Sequence, residues 1–104
     1  MFRRPTGTED LLPDQQAVWR FTVHAAETMA ARFGYGRLDT PTFEETALFV
    51  RGVGEGTDLI EQETYTFEDR GGTKLTLRSE GTAPAMRAYL QNGLQSAPVP
   101  VRLY

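Results

Sequence analysis

The sequence predicts an α+β fold, a mainly antiparallel sheet flanked by helices. Three observations carry this: a long amphipathic helical pattern near the start, a β-hairpin signal past the middle, and a second helix directly after that hairpin. Strands joined by a tight connection favour antiparallel pairing over a doubly wound parallel sheet. The 104 residues suit a single domain, 1–104. A chain of this size buries roughly 60–70% of its unfolded surface, enough for a core without cross-links.

The first helix is expected over "QQAVWRFTVHAAETMAARF". Val18, Phe21, Ala25, Met29 and Phe33 recur at helical spacing and form one apolar stripe. Asp14 is the expected N-cap, and Gly34 stands where a glycine commonly ends a helix. His24 lies one position off the stripe and reads as a boundary or surface residue.

"YGRLDTPTF" reads as extended, because Pro41 disfavours helix at Thr40 and lacks a backbone donor. "FEETALFVRG" then predicts a short helix, with Thr42 as cap, Glu45 completing a capping box, and Leu48 and Phe49 buried. "GVGEGTD", Gly52 to Asp58, is rich in glycine. It neither follows a strand into a βαβ helix nor carries a P-loop lysine, so it reads as a loop and not a phosphate cradle.

"YTFEDRGGTKLTLR" is the clearest strand signal. Tyr65 and Phe67 alternate with Thr66 and Glu68, and Leu75 and Leu77 alternate with Thr76 and Arg78. Asp69-Arg70-Gly71-Gly72 between them predicts a hairpin. Its apolar face is expected to be the packed one. Thr82 is the expected cap of "APAMRAYLQNG", with Pro84 tolerated in the first turn, Gly93 at the end, and Met86, Tyr89 and Leu90 buried. Val99, Val101 and Leu103 alternate like a further strand.

Composition narrows the function. There are no cysteines and one histidine, which excludes disulfides, thiolate metal sites and a histidine-based metal site; no metal ligands are predicted. A net charge of −3 argues against a general nucleic-acid-binding domain, leaving room for a local patch. No apolar run reaches the roughly 20 residues of a membrane span. The opening "MFRRPTGTEDLLP" lacks the apolar core of a secretory signal, so the cytoplasm is the expected location.

Ser79-Glu80-Gly81-Thr82 gathers polar groups where a strand ends and a helix begins. Two readings stand. Glu80 suits a helix N-terminus electrostatically, so it and Thr82 can simply stabilise a helix start. Alternatively, Glu80 and Thr82 flank a glycine that lets a ligand approach the backbone, and both can accept from a substrate ammonium. Charge-assisted bonds of that kind contribute about 1.5–3 kcal/mol each where water is excluded.

"LTLRSEGTAPAMRAYL", preceded by "ETYTFEDRGG", closely resembles histidyl-tRNA synthetase, a class II aminoacyl-tRNA synthetase. "RRPTGTEDLLP" is similar to that family's opening, and "TPTFEETALFVRGVGEGTD" to its motif 1 strand and following loop. The likeness runs from about Arg4 to Tyr104. It implies part of a class II catalytic core and a parent enzyme that activates L-histidine with ATP and Mg2+, then transfers it to tRNA(His). It further implies that Glu80, Gly81 and Thr82 contact the α-amino group of histidine, and that Pro41 is the motif 1 proline at a homodimer interface.

Two departures accompany the resemblance. Ser79 stands where the family usually has proline, which loosens the strand exit before Glu80. The family's motif 2 arginine, motif 3 and anticodon-binding domain have no counterpart in these residues, so no catalytic residue is assigned. The piece alone is expected to be inactive, to bind no cofactor, and to expose a strand edge that promotes association. A synthetase-like regulatory subunit of ATP phosphoribosyltransferase shares the implied fold, but tends to carry Asp-Met-Thr where this chain has Glu-Gly-Thr. A non-catalytic dimerisation module is the third reading.

Overall fold

The computed structural model describes residues 1–53 and 64–104. They fall into two compact units, Met1–Gly36 with Arg102–Tyr104, and Arg37–Val101.

The first unit is built on helix α1, Pro13–Arg32. Its N-cap is Leu12, not Asp14. Pro13 needs no donor at the first helical position, and the Gln15 side chain accepts from the Leu12 N–H at 3.0 Å. Asp14 therefore lies inside the first turn, where its charge still complements the helix dipole. The far end follows expectation: Gly34 adopts φ 77°, its N–H donates to Ala31, and that of Tyr35 donates to Ala30. This left-handed exit satisfies carbonyls that the last turn leaves open. Val18, Phe21, Met29 and Phe33 of the expected stripe are all exposed, as is His24.

Leu103 pairs with Gly36 in an isolated parallel bridge. The alternation of Val99, Val101 and Leu103 thus yields one bridge and no strand. Pro98 and Pro100 interrupt the run and remove two of the donors a ladder needs.

The second unit holds a three-stranded antiparallel sheet, with β1 Phe43–Glu45, β2 Thr66–Glu68 and β3 Lys74–Leu77 in the order β1-β3-β2. Helix α2, Thr46–Val53, follows β1, and helix α3, Thr82–Gln91, follows β3. A single 3₁₀ turn spans Leu94–Ser96. The helix expected from Phe43, with Thr42 as its cap, starts three residues later at Thr46, because Phe43, Glu44 and Glu45 pair with Leu77, Thr76 and Leu75. Ladder bonds replace the Thr42 cap. Phe49 is buried as expected and Leu48 is half-buried. Gly52 and Val53 belong to α2 and not to the expected loop, the rest of which falls in residues 54–63, outside the described residues.

The hairpin forms as expected, with Thr66, Phe67 and Glu68 opposite Thr76, Leu75 and Lys74. Asp69 organises its turn: its Oδ1 accepts from the N–H of Gly71 at 2.8 Å and of Thr73 at 2.9 Å.

The face assignment is reversed. Phe43, Phe67 and Leu77 share one face, are 46%, 43% and 40% exposed, and place the two phenyl rings edge to face at 5.8 Å. The opposite, polar face is buried, with Thr76 at 0% and Glu44 at 9% exposure. Hydrogen bonding makes that burial tolerable. The Thr76 hydroxyl donates to that of Thr46 at 2.9 Å and is bonded to that of Thr66 at 2.9 Å.

Helix α3 correspondingly buries Pro84 and Ala88, while Met86 and Leu90 are exposed and Tyr89 is intermediate. Small residues allow α3 to lie close to its neighbours; α2 and α3 pack together.

Candidate functional site

The junction between β3 and α3 runs from Arg78 to Gly81. Arg78 extends the β1–β3 pairing by one step, its N–H donating to the Thr42 carbonyl at 2.9 Å. Its guanidinium Nη1 reaches back to Thr40, meeting the carbonyl oxygen and Oγ1 at 3.0 Å each. Both neighbours of Pro41 are thus held by one arginine. Pro41 is itself exposed.

After Ser79 the chain turns into α3, whose formal N-cap is Gly81 with no side-chain hydrogen bond. The capping is done by Glu80. Its Oε2 accepts from the Thr82 N–H, and its Oε1 accepts from the Ala83 N–H at 3.0 Å. Thr82 is the first helical residue and not the cap expected of it. A carboxylate on those two N–H groups satisfies donors that the helix cannot pair and meets the positive end of its dipole.

Glu80, Gly81 and Thr82 are adjacent and exposed. Among the described residues nothing lies within 4 Å of a Cβ placed on Gly81, so they leave the space over its backbone open. The Glu80 carboxylate retains acceptor capacity beyond its two helix bonds, since it offers about four lone-pair positions.

Behind the junction, α3 is fastened to β1. Arg87 Nε donates to Glu44 Oε2 at 3.1 Å and Nη2 to Oε1 at 2.6 Å, while Nη1 donates to Gln91 Oε1 at 2.8 Å. Neither residue stood out in the sequence. The available signal was Glu44 itself, a charge at the alternation position that turned out to be buried.

A family model described as histidyl-tRNA synthetase matches residues 7–104. The chain belongs to the histidyl-tRNA synthetase family. It is 59% identical over 104 residues to a histidine–tRNA ligase of Dehalococcoides mccartyi and 52% identical over 104 residues to that of Desulforudis audaxviator. Each match covers 100% of this chain and 25% of the relative, so the chain spans about a quarter of the length of the curated relatives it matches. Among solved structures, apo histidyl-tRNA synthetase of S. aureus superposes with a TM-score of 0.83 at 35% identity, over 99% of this chain and 24% of that one. A Bacillus halodurans protein described as an ATP phosphoribosyltransferase regulatory subunit/histidyl-tRNA synthetase gives 0.78 at 28% identity, over 99% and 26%. The α+β fold of the synthetase family is therefore the fold of this segment.

Proposed function

We propose that the chain is the N-terminal portion of the catalytic domain of a class II histidine–tRNA ligase, comprising motif 1 and the amino-acid-binding segment. The parent enzyme joins L-histidine to ATP, giving histidyl-adenylate and pyrophosphate, and passes the histidyl group to tRNA(His) in the cytoplasm. Within it, Glu80, Gly81 and Thr82 receive the α-ammonium of histidine, and the segment around Pro41 lies at a homodimer interface.

One observation carries the reading: the Glu80 carboxylate is oriented by two backbone N–H groups beside an unobstructed glycine. A helix N-terminus by itself repels a cation. Glu80 reverses the local sign by placing a full negative charge between the helix end and an incoming ammonium. The remaining carboxylate lone pairs and the Thr82 hydroxyl then accept two of the ammonium's three donors. Because the helix bonds fix the carboxylate in advance, little side-chain freedom is lost on binding.

Binding and orientation of the amine are the chemistry assigned to these residues. Among the described residues no three His, Cys, Asp or Glu side chains gather to hold a metal ion. Among them, too, no helix is long and apolar enough to cross a membrane.

The test is a chimera in which these 104 residues replace the matching segment of the D. mccartyi ligase. Histidine-dependent pyrophosphate exchange and charging of tRNA(His) support the proposal. A folded chimera with neither activity contradicts it. A folded but inactive chimera that instead associates with an ATP phosphoribosyltransferase catalytic subunit points to the regulatory reading.

A further inference from the structure

We propose that Arg87 and Glu44 are positioning residues for amino-acid recognition, setting where the α3 N-terminus presents Glu80 relative to the strands. The inference rests on the reading of Glu80 as the ammonium contact and adds the device that holds it in register.

Glu80 is not anchored to the sheet by its own side chain. Among the described residues its carboxylate bonds backbone N–H groups at the start of α3 alone, so it moves with that helix. What fixes α3 against the strands therefore fixes Glu80. Two small residues of α3, Pro84 and Ala88, are buried, and the helix packs on α2 and on the 3₁₀ turn. Such contacts are not directional and tolerate a slide along the helix axis.

Arg87 adds direction. It sits between those two residues in the sequence and grips Glu44 through two nitrogens on two oxygens, an arrangement that fixes the in-plane angle as well as the distance. Gln91, one turn further on, holds the third guanidinium nitrogen and restricts its rotation. Glu44 is equally fixed, because it lies in β1 opposite Thr76, whose hydroxyl is bonded to those of Thr46 and Thr66. The path runs from the centre of the sheet through Glu44 and Arg87 into α3, and through its first N–H groups to Glu80. Every link in it is a hydrogen bond or a covalent step. Displacement of a binding group by an ångström is enough to weaken recognition substantially.

The experiment uses Arg87→Lys and Glu44→Gln in the active chimera, with Phe49→Leu as a control for lost stability. Phe49 is buried in α2 and takes no part in the hydrogen bonds of the pair. Lysine keeps the charge but cannot grip both oxygens, and glutamine keeps the shape but loses the charge. The expected result for both variants is a rise of about tenfold in KM for histidine, with KM for ATP within about twofold. Phe49→Leu should lower the melting temperature and leave both constants in place. An unchanged KM for histidine in either folded variant overturns the proposal, as does an equal shift in the control. Glu80→Gln, measured alongside, separates the two readings. If it leaves KM for histidine unchanged, the ammonium contact itself is wrong. If it raises KM while Arg87→Lys does not, only the positioning role fails.

Discussion

Arg87 in α3 and Glu44 in β1 form a two-point ion pair, with the shorter contact at 2.6 Å, on the buried polar face of a three-stranded sheet. Glu44 is 9% exposed and the Arg87 side chain 29%, so the pair is shielded on the carboxylate side and partly open on the other. A carboxylate in that position requires its partner. Arg87→Met strands the charge and should destabilise the fold by about 3 kcal/mol, the lower end of the range for breaking a buried pair because Arg87 is partly solvated. Replacing both residues, Glu44→Leu with Arg87→Met, should recover most of that loss. Chemical denaturation of the two variants checks the order; a double variant less stable than the single one would contradict it.

The buried hydroxyls predict a separate effect. Thr76 is fully buried and bridges Thr46 and Thr66. Thr76→Val keeps the shape, removes both bonds and leaves the Thr46 hydroxyl without its donor. A loss of about 1–3 kcal/mol is expected from the denaturation midpoint. Thr66→Val, at the exposed end of the same chain, should cost less.

Two glycines should respond in opposite ways. Gly72 holds φ 85° in the hairpin turn, where any side chain is strained, so Gly72→Ala should destabilise by about 1–2 kcal/mol. Gly81 has φ −102° and open space above it. Gly81→Ala should leave the melting temperature almost unchanged, yet in the chimera it should raise KM for histidine by closing the approach to the backbone. A large loss of stability from Gly81→Ala would mean that the glycine serves the turn and not the ligand.

Much of this fold was legible because its signals are local. The hairpin follows from alternation and from Asp69 and the glycines of its turn; the end of α1 follows from Gly34, whereas its start lies at Leu12–Pro13 and not at the expected Asp14. What the sequence did not reveal depends on partners distant in the chain. The face of the sheet that packs was misread because Glu44 and Thr76 are buried through bonds to Arg87, Thr46 and Thr66, and no period-two pattern encodes such pairing. The start of α2 was misplaced for the same reason: Phe43–Glu45 becomes a strand only because β3 lies beside it. The junction was legible as a place, with both of its readings open. The geometry supplies Glu80 as the helix cap, a role compatible with an ammonium contact because a carboxylate has acceptors to spare.

Arg78 ties that junction to the Pro41 segment through Thr40 and Thr42. Arg78→Met removes the two guanidinium bonds and leaves the backbone bond to Thr42. A modest loss of stability, about 1–2 kcal/mol, is expected for these exposed contacts. If Pro41 lies at the proposed homodimer interface, the same variant should weaken chimera dimerisation in analytical ultracentrifugation. An unchanged dimer constant would separate Arg78 from the interface.

The central claim is that Glu80 holds the amine of histidine. The most direct measurement compares KM for histidine and for tRNA(His) in the chimera with and without Glu80→Gln. Glutamine can still accept one helix N–H bond, so the helix start persists while the charge is lost. The account predicts a rise of roughly 10–100-fold in KM for histidine, the equivalent of one charge-assisted bond, and little change in that for tRNA. Equal effects on both constants, or lower stability with both unchanged, would leave Glu80 as the cap of α3 alone.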